Sequence, residues 1–257
     1  MTEVIWNRMT AEELRAKAKA DAIVLLPVAS TEQHGPHLAT GVDTFLASEG
    51  CRRIALKVAA KRPIVVAPTV WMGLAEHHIE FGGTFTLSLS TYHALLRDLC
   101  RSILRAGFKK ILLVNGHGGK IAALAALTTD LAKELDAPIA TTTLYTLAHE
   151  SGEYTKVLED QKGVQHACEA ETSMMQAAFA DCVRADRIKD AFNGRNLPPM
   201  RGLGINPPLA VWRSFTEMTD SGVLGDARRA SAAKGEQLLD IAAGLIADRL
   251  IAGEPWA

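Results

Sequence analysis

The order of apolar runs along the chain is the feature that most constrains its fold. Two runs rich in Ile, Leu and Val, Ile23–Val28 and Lys110–Asn115, have the continuous apolar character of strands buried on both faces. Shorter strands are predicted at 64–67, 84–89 and 139–144, and helices at about 43–60, 90–106 and 121–135. Because strands and helices alternate, the sequence predicts an α/β fold with a mostly parallel central sheet and helices on both faces.

The remaining segments predict helices at both ends and several long loops. Thr10 and Glu13 form the pattern of a capping box, so a helix is expected to run from there to about residue 20. An amphipathic helix is predicted over 227–252. The irregular segments 68–83, 145–165 and 193–209 are expected to shape a pocket. No domain boundary is evident, so residues 1–257 are expected to form a single domain.

The composition indicates a soluble protein with no nucleic-acid or membrane partner. With 28 Lys and Arg against 29 Asp and Glu, the charge favours neither a nucleic acid nor a membrane partner. The N-terminus lacks a signal-peptide pattern, and no apolar run is long enough to span a bilayer. The cysteines show no C-x-x-C spacing, so a reduced, cytoplasmic setting is expected. They are Cys51, Cys100, Cys168 and Cys182.

A run of polar residues follows the first buried strand and has the composition of a metal site. Glu32-Gln33-His34-Gly35-Pro36-His37 is followed at a short distance by Asp43. Carboxylate oxygens and imidazole nitrogens together suit divalent metals such as zinc, manganese and iron. In open α/β sheets, sites lie at the carboxyl ends of strands, where this run is expected. Asp43 could alternatively cap the helix that it begins.

Two further stretches carry candidate site residues. Asn115-Gly116-His117-Gly118-Gly119-Lys120 lies between a predicted strand and helix, but it lacks the spacing of a phosphate-binding P-loop. Its glycines are better explained as room for a ligand or ion beside His117, although a buried core histidine is the alternative. His166 and Glu169 are three residues apart at the start of a predicted helix, which would place them on one face.

These motifs, taken in order, resemble those of the creatininase (creatinine amidohydrolase) family. The resemblance rests on the 32–37 run, Asp43, the 115–119 turn and the block from His166 to Ser173, and it spans nearly the whole chain. It implies a three-layer α/β/α sandwich, two divalent metal ions per chain (zinc, manganese or iron) and a homo-oligomer, usually a hexamer. It also implies hydrolysis of a cyclic amide or another C–N bond outside ordinary peptides.

The resemblance also implies which residues bind the metals. Glu32 and His117 look like ligands of one ion, His34 looks like a ligand of the other, and Asp43 like the carboxylate that bridges them. In the creatinine-hydrolysing branch, a Glu two residues after the histidine of the third motif supplies the last ligand. Gly119 occupies that position here. Members with glycine there carry an acidic residue at the position of Glu169, which is therefore predicted as the replacement ligand.

Four other residues receive roles. His166 matches the catalytic histidine of the family, and an imidazole with an ordinary pKa of about 6.5 suits the general acid that protonates a leaving nitrogen. Glu171 looks like a carboxylate that supports the catalytic group, although a surface acid near a helix start is the alternative. His37 is expected to orient a ligand or contact the substrate. Lys120 stands where Asn is common, and it is predicted to meet an anionic group of the substrate.

Other functions stay open at this point. Relatives within the family include formamide deformylases, maturases that trim a peptide and hydrolases of keto-inositol rings, so even the type of bond is not determined. A catalytically silent protein that binds metal or ligand on the same scaffold is a further possibility. Because every expected ligand position holds a residue that can coordinate a metal, the sequence favours a metal-dependent hydrolase.

Overall fold

The computed structural model describes residues 3–195 and 211–257. Its sheet has four strands in the order β2-β1-β3-β4, and all neighbouring pairs are parallel. The strands are β1 (Ile23–Val28), β2 (Ile64–Val66), β3 (Lys110–Asn115) and β4 (Ile139–Thr143). The central pair is in register from Ile23 opposite Lys110 to Val28 opposite Asn115, so the two strands end side by side.

Eight α-helices surround the sheet within the described ranges. They are α1 (Ala11–Lys19), α2 (Val42–Val58), α3 (Leu89–Arg105), α4 (Ile121–Leu135), α5 (Thr146–Glu150), α6 (Glu169–Ala178), α7 (Phe215–Met218) and α8 (Ala232–Ala252). Short 3₁₀ helices lie between them, among them Glu76–Phe81 and Glu153–Lys156. None of the helices in the two described ranges is both long and apolar enough to cross a bilayer.

Two separate hydrophobic cores confirm the three-layer sandwich. Side chains alternate across a strand, so Ile23 and Leu25 face one core, which α2, α6 and α8 complete. Val24 and Leu26 face the other core, together with α3, α4 and the apolar side of α1. At roughly 25 cal/mol per Å² of apolar surface removed from water, burial on both faces supplies the main driving force for this architecture.

Most of the predicted elements are present, with differences where local hydrogen bonds decide the boundary. Thr10 and Glu13 form the expected capping box at α1. The strand predicted at 84–89 is wrong: Phe85 and Thr86 make only isolated bridges, and Ser88 instead caps α3. The last helix begins at Ala232, after its cap Ser231. Of the predicted loop 193–209, residues 196–209 lie outside the described part of the chain.

The path of the chain produces a crevice between β1 and β3. From β1 the chain crosses through α2 to β2 on one side, and then through α3 back to β3 on the other. The loops leaving β1 and β3 therefore diverge to opposite faces of the sheet. Ligands of open α/β sheets bind outside the carboxyl ends of the strands at such a reversal of strand order. Glu32 lies four residues after the end of β1, and His117 lies two residues after the end of β3.

Candidate metal centre

The loop leaving β1 aims an imidazole and a carboxylate into the crevice. The Nδ1–H of His34 donates to the carbonyl of Glu32 at 3.1 Å, which leaves Nε2 of the ring facing the site. That Nε2 lies 3.3 Å from Oδ1 of Asp43 and 3.9 Å from Oε2 of Glu171. Gly35 has φ +66°, so the chain turns sharply after His34 without the steric cost that a side chain would bring.

Asp43 lies at the centre of the cluster and does not cap its helix. The N-cap of α2 is Gly41, with no side-chain cap, and Asp43 sits inside the first turn. One of its oxygens approaches His34, and the other lies 3.1 Å from Nδ1 of His117. The side chain is buried between two imidazoles, and this position lets a single carboxylate serve two neighbouring sites.

The turn after β3 holds His117 through the side chain of Asn115. The amide of Asn115 donates to the carbonyl of His117 at 2.7 Å, and its oxygen accepts the N–H of His117 at 3.0 Å. Nδ1 of His117 thereby comes within 3.1 Å of Oε1 of Glu32. A Cβ on Gly119 would lie 2.5 Å from Nε2 of His117 and 2.6 Å from Cε1 of His77, so any side chain at 119 would displace these rings.

The donor atoms of the cluster fit metal ions. Three sets of side chains bring one ligand atom each to within 4.8 Å of one another. These sets are Glu32, Asp43 and His117; His34, Asp43 and Glu171; and Glu32, His34 and His166. Among the described residues, both oxygens of Glu32, Nε2 of His34 and Oδ2 of Asp43 are buried with no hydrogen-bond partner. Because buried acceptors without partners are costly, the site has the chemistry of one that binds cations.

The electrostatics of the cluster also indicate a need for positive charge. Burial alone would raise the pKa of Glu32, but His117 and His78 hold it well below its usual range. Burial disfavours the charged form of His34, yet Asp43 and Glu171 raise its pKa to about 10. Burial also disfavours the charged form of His117, but Glu32 and Asp43 outweigh this effect and raise the pKa of His117 to about 9. The buried carboxylates thus keep His34 and His117 protonated when no metal ion is bound.

His166 and Glu171 reach the site from the start of α6. The Nε2–H of His166 donates to the carbonyl of Gln33 at 2.8 Å, which leaves Nδ1 bare and 3.6 Å from Oε1 of Glu32. Burial, together with His34 and His78, keeps the pKa of His166 well below its ordinary value, so this ring is neutral. Ala167 has φ +53°, and its N–H donates to Oε2 of Glu171 at 2.6 Å.

The structure does not bring Glu169, the predicted replacement ligand, to this cluster. Its carboxylate accepts the N–H groups of Glu159 and Asp160 and lies 2.6 Å from Nζ of Lys234. The helix begins only at Glu169, so the expected helical spacing from His166 does not exist. Glu171, two residues further on, points to nearly the opposite side of the helix and joins His34 and Asp43 instead.

Lys120 and His37 also lie away from the predicted substrate contacts. Lys120 is fully buried, and its ammonium group donates to the carbonyl of Ala29 at 2.5 Å. Burial lowers the pKa of Lys120 to about 8. His37 is buried too, and its Nε2 lies 2.7 Å from Oγ1 of Thr172. Neither residue lines the cavity over the cluster, so the placement of Lys120 does not support the predicted contact with an anionic substrate group.

The cavity over the cluster has a volume of about 250 Å³ and includes residues that the motifs did not single out. Its walls include His77, His78, Thr143, Tyr145, Val164, His166, Phe215, Met218 and Leu224. His78 is held by Gln33, whose amide lies 2.9 Å from its Nδ1, and its Nε2 lies 3.2 Å from Glu32. The adjacent histidines in the polar 68–83 segment were a weak signal for this wall. Phe215, which packs on His78 and His166, had no signal in the sequence that would have placed it in this wall.

Several curated proteins are similar to this chain. Mycofactocin precursor peptide peptidase of Mycolicibacterium smegmatis is 31% identical over 238 residues, covering 91% of this chain and 86% of the relative. Creatinine amidohydrolase of Pseudomonas putida is 26% identical, covering 96% of each chain. 3-Dehydro-scyllo-inosose hydrolase of Thermotoga maritima is 36% identical over 118 residues, which are 46% of this chain and 37% of the relative.

Solved structures and a family profile agree with these relatives. A crystal structure of creatinine amidohydrolase superposes with a TM-score of 0.82 at 24% identity and covers 99% of both chains. A manganese form of creatininase superposes at 0.80 with 25% identity, covering 99% of this chain and all of the other, and a zinc form of a variant is a further neighbour. The profile described as "Creatininase: Creatinine amidohydrolase" matches residues 7–250. Since sequence, fold and the convergence of acidic and histidine side chains at the β1–β3 crevice agree, this chain is a member of the creatininase family of metal-dependent hydrolases.

Proposed function

We propose that this protein hydrolyses a small cyclic amide or a related C–N bond at a centre that holds two divalent metal ions. One observation supports this most directly: Asp43 is shared by two sets of ligand atoms, with Glu32 and His117 on one side and His34 and Glu171 on the other. Two ions bound there would supply an activated water at neutral pH and polarise the carbonyl of the substrate. Glu171 replaces Glu169 in this ligand set.

His166 is the residue that we propose to move protons. Its Nε2–H is engaged by the carbonyl of Gln33, so the bare Nδ1 is the atom available for proton transfer. This atom faces the cluster, 3.6 Å from Glu32. A neutral imidazole can take a proton from the attacking water and return it to the leaving nitrogen. His78 and Phe215, which pack against the ring, hold it in that orientation.

The size and lining of the cavity support a small substrate with an apolar part. The cavity of about 250 Å³ is close in size to a small heterocycle with a few waters. Phe215, Met218 and Leu224 give the cavity an apolar part beside its carboxylates and imidazoles. A planar amide ring could place its carbonyl toward the acidic cluster and its carbon atoms against this apolar part.

Peptide trimming is a second candidate function, because the relative at 31% identity over most of the chain is a peptidase of a precursor peptide. Gly119 points the same way, since this chain lacks the Glu of the creatinine-hydrolysing branch at that position. In that case the bond cleaved would be a peptide bond near a chain end.

The homo-oligomer implied by the family and the cytoplasmic location also remain predictions.

The test is an assay of purified protein loaded in turn with Zn²⁺ and Mn²⁺, with metal content measured on the same samples. Substrates are creatinine, hydantoin, dihydrouracil, formamides and a set of short peptides assayed at both ends. We expect about two ions per chain, turnover of at least one cyclic amide and loss of turnover on chelation. Cleavage of peptides alone would replace the first proposal with the second. Fewer than one ion per chain in every preparation would refute the metal centre.

A further inference from the structure

Lys120 is a buried cation for which the proposed reaction has no use. Its side chain is fully buried, and Nζ donates to the carbonyl of Ala29 at 2.5 Å and lies 5.5 Å from the ring centre of Tyr92. Burying an ammonium group is expensive unless its hydrogen bonds and charge partners compensate for the lost water. A buried ammonium group at this position therefore requires compensating contacts, and these contacts indicate its role.

The neighbouring backbone is shaped to leave room for this side chain. A Cβ on Gly73 would lie 2.8 Å from Cδ of Lys120, 2.9 Å from its Nζ and 3.2 Å from the carbonyl oxygen of Ala29. Gly73 has no positive φ that would demand glycine, so the absence of a side chain there is explained by the space that Lys120 and the carbonyl of Ala29 occupy. The lysine is thus fitted into a specific channel between three loops.

The hydrogen bond of Lys120 joins the two loops that carry the proposed metal ligands. Ala29 directly follows β1 and precedes Glu32 by three residues, and its own N–H donates to the carbonyl of Val70 at 2.8 Å. Lys120 follows His117 by three residues, and its N–H donates to the carbonyl of His117 at 3.2 Å. One side chain therefore ties the exit of β1 to the exit of β3.

The positive charge of Lys120 also complements the negative charge of the carboxylates in the cluster. Both Glu32 and Asp43 are close enough to Lys120 to favour its charged form. An apolar side chain of the same length could fill the channel, but it could neither donate to Ala29 nor balance these carboxylates. The position is therefore suited to hold acidic ligands at a fixed separation.

We infer that Lys120 is a positioning residue: its ammonium group clamps the β1 exit loop to the β3 exit turn and so sets the spacing of Glu32 and His117 for metal binding. This inference rests on the proposed function, because the spacing matters only if these residues share an ion. It replaces the predicted role of Lys120 in binding an anionic substrate group.

The test measures Co²⁺ binding by calorimetry and by the visible absorption of the bound ion, which reports its coordination geometry. Lys120→Met removes the clamp while keeping the volume of the side chain. We expect Co²⁺ to bind at least tenfold more weakly with an altered spectrum, and the melting temperature of the metal-free protein to stay within a few degrees of wild type. A merely structural lysine would lower the melting temperature and leave the spectrum of the bound ion unchanged.

Gly73→Ala is the matched control, because it displaces the ammonium group without removing its charge. It should weaken Co²⁺ binding in the wild-type background and have a much smaller effect in a Lys120→Ala background, where the new Cβ crowds only the carbonyl of Ala29 at 3.2 Å. The comparison of Gly73→Ala in these two backgrounds also tests the clamp if Lys120→Met does not fold. Unchanged affinity and spectrum in Lys120→Met, or equal effects of Gly73→Ala in both backgrounds, would overturn the clamp. Wild-type protein that binds no Co²⁺ would instead overturn the proposed function itself.

Discussion

Glu169 and Glu171 begin the same helix and are both buried, yet their surroundings give them different tasks. Glu169 accepts two backbone N–H groups and pairs with Lys234, so its charge is fully compensated by its own neighbours. Glu171 accepts one backbone N–H, from Ala167, and otherwise faces His34. Burial raises the pKa of Glu171 to about 7, although the positive charge of His34 opposes this shift.

Glutamine substitutions at these two positions should therefore separate metal binding from stability. Glu171→Gln should weaken metal binding because it removes a proposed ligand. The loss should exceed the roughly 10- to 100-fold that follows when only a hydrogen-bond partner of a ligand is removed. Glu169→Gln should leave the metal content unchanged and lower the free energy of unfolding by about 1–3 kcal/mol, because the carboxylate that Lys234 faces loses its charge. Metal analysis and chemical denaturation of both variants measure these effects. Loss of metal from Glu169→Gln with retention in Glu171→Gln would reverse the assignment.

At the scale of elements, the site depends on how the ends of β1 and β3 are held together. Asn115 is the last residue of β3, and its side chain makes three hydrogen bonds: two to the backbone of His117 and one to Thr143 at the end of β4. This arrangement converts the fixed register of the parallel strands into a fixed position for His117. The turn is rigid because its polar groups are satisfied by Asn115.

Asn115→Ala should disturb the metal site without touching a proposed ligand. It leaves the buried N–H and carbonyl of His117 without their partners, and we expect a loss of about 2–4 kcal/mol in the free energy of unfolding and a drop in metal affinity. Thr143→Val is the control, since it removes only the third hydrogen bond at 3.1 Å and should cost about 1 kcal/mol. Urea denaturation and metal titration measure both effects. Equal metal affinity in Asn115→Ala and wild type would contradict this account of His117.

At the scale of the whole molecule, most of the surface carries balanced charge, and the unbalanced charge is concentrated in one buried place. The chain has 28 basic and 29 acidic residues, whereas the crevice buries Glu32, Asp43 and Glu171 together. Without metal ions, the protein meets this excess by keeping protons on His34 and His117, whose pKa values are about 10 and about 9. Metal ions and these protons therefore compete for the same atoms.

Metal binding should consequently release protons and strengthen as the pH rises. Both histidines are protonated at pH 7 in the metal-free protein, and a metal ligand must be a neutral imidazole, so at least two protons should be released. The affinity for the pair of ions should rise up to about 100-fold per pH unit between pH 7 and pH 9, where both histidines still carry protons, and less steeply from there to pH 10. Calorimetry in two buffers of different ionisation enthalpy counts the protons. Affinity that is constant between pH 6.5 and 8.5 would contradict the prediction.

Much of the fold could be predicted from local patterns alone. The bounds of β1, β3 and α4 agree with the structure because continuous apolar runs and a Gly-rich turn are local signals. The positions of Glu32, His34, Asp43 and His117 at one crevice follow from parallel strands whose carboxyl ends lie at the same edge. The prediction of a strand at 84–89 was wrong because Ser88 caps α3, and strand propensity alone does not reveal a competing helix cap.

By itself, the sequence determined the parallel sheet with helices on both faces, because that arrangement depends on periodicity. Its motifs pointed, through their resemblance to the creatininase family, to the family itself and to Glu32, His34, Asp43 and His117 of the candidate site. Only the tertiary structure decided which acid of α6 turns inward, because that depends on the left-handed backbone at Ala167 and on Lys234, a partner far along the chain. The same holds for Lys120, whose direction is set by the space above Gly73. The direction of a buried side chain is determined by packing between distant segments, which spacing along the sequence does not encode.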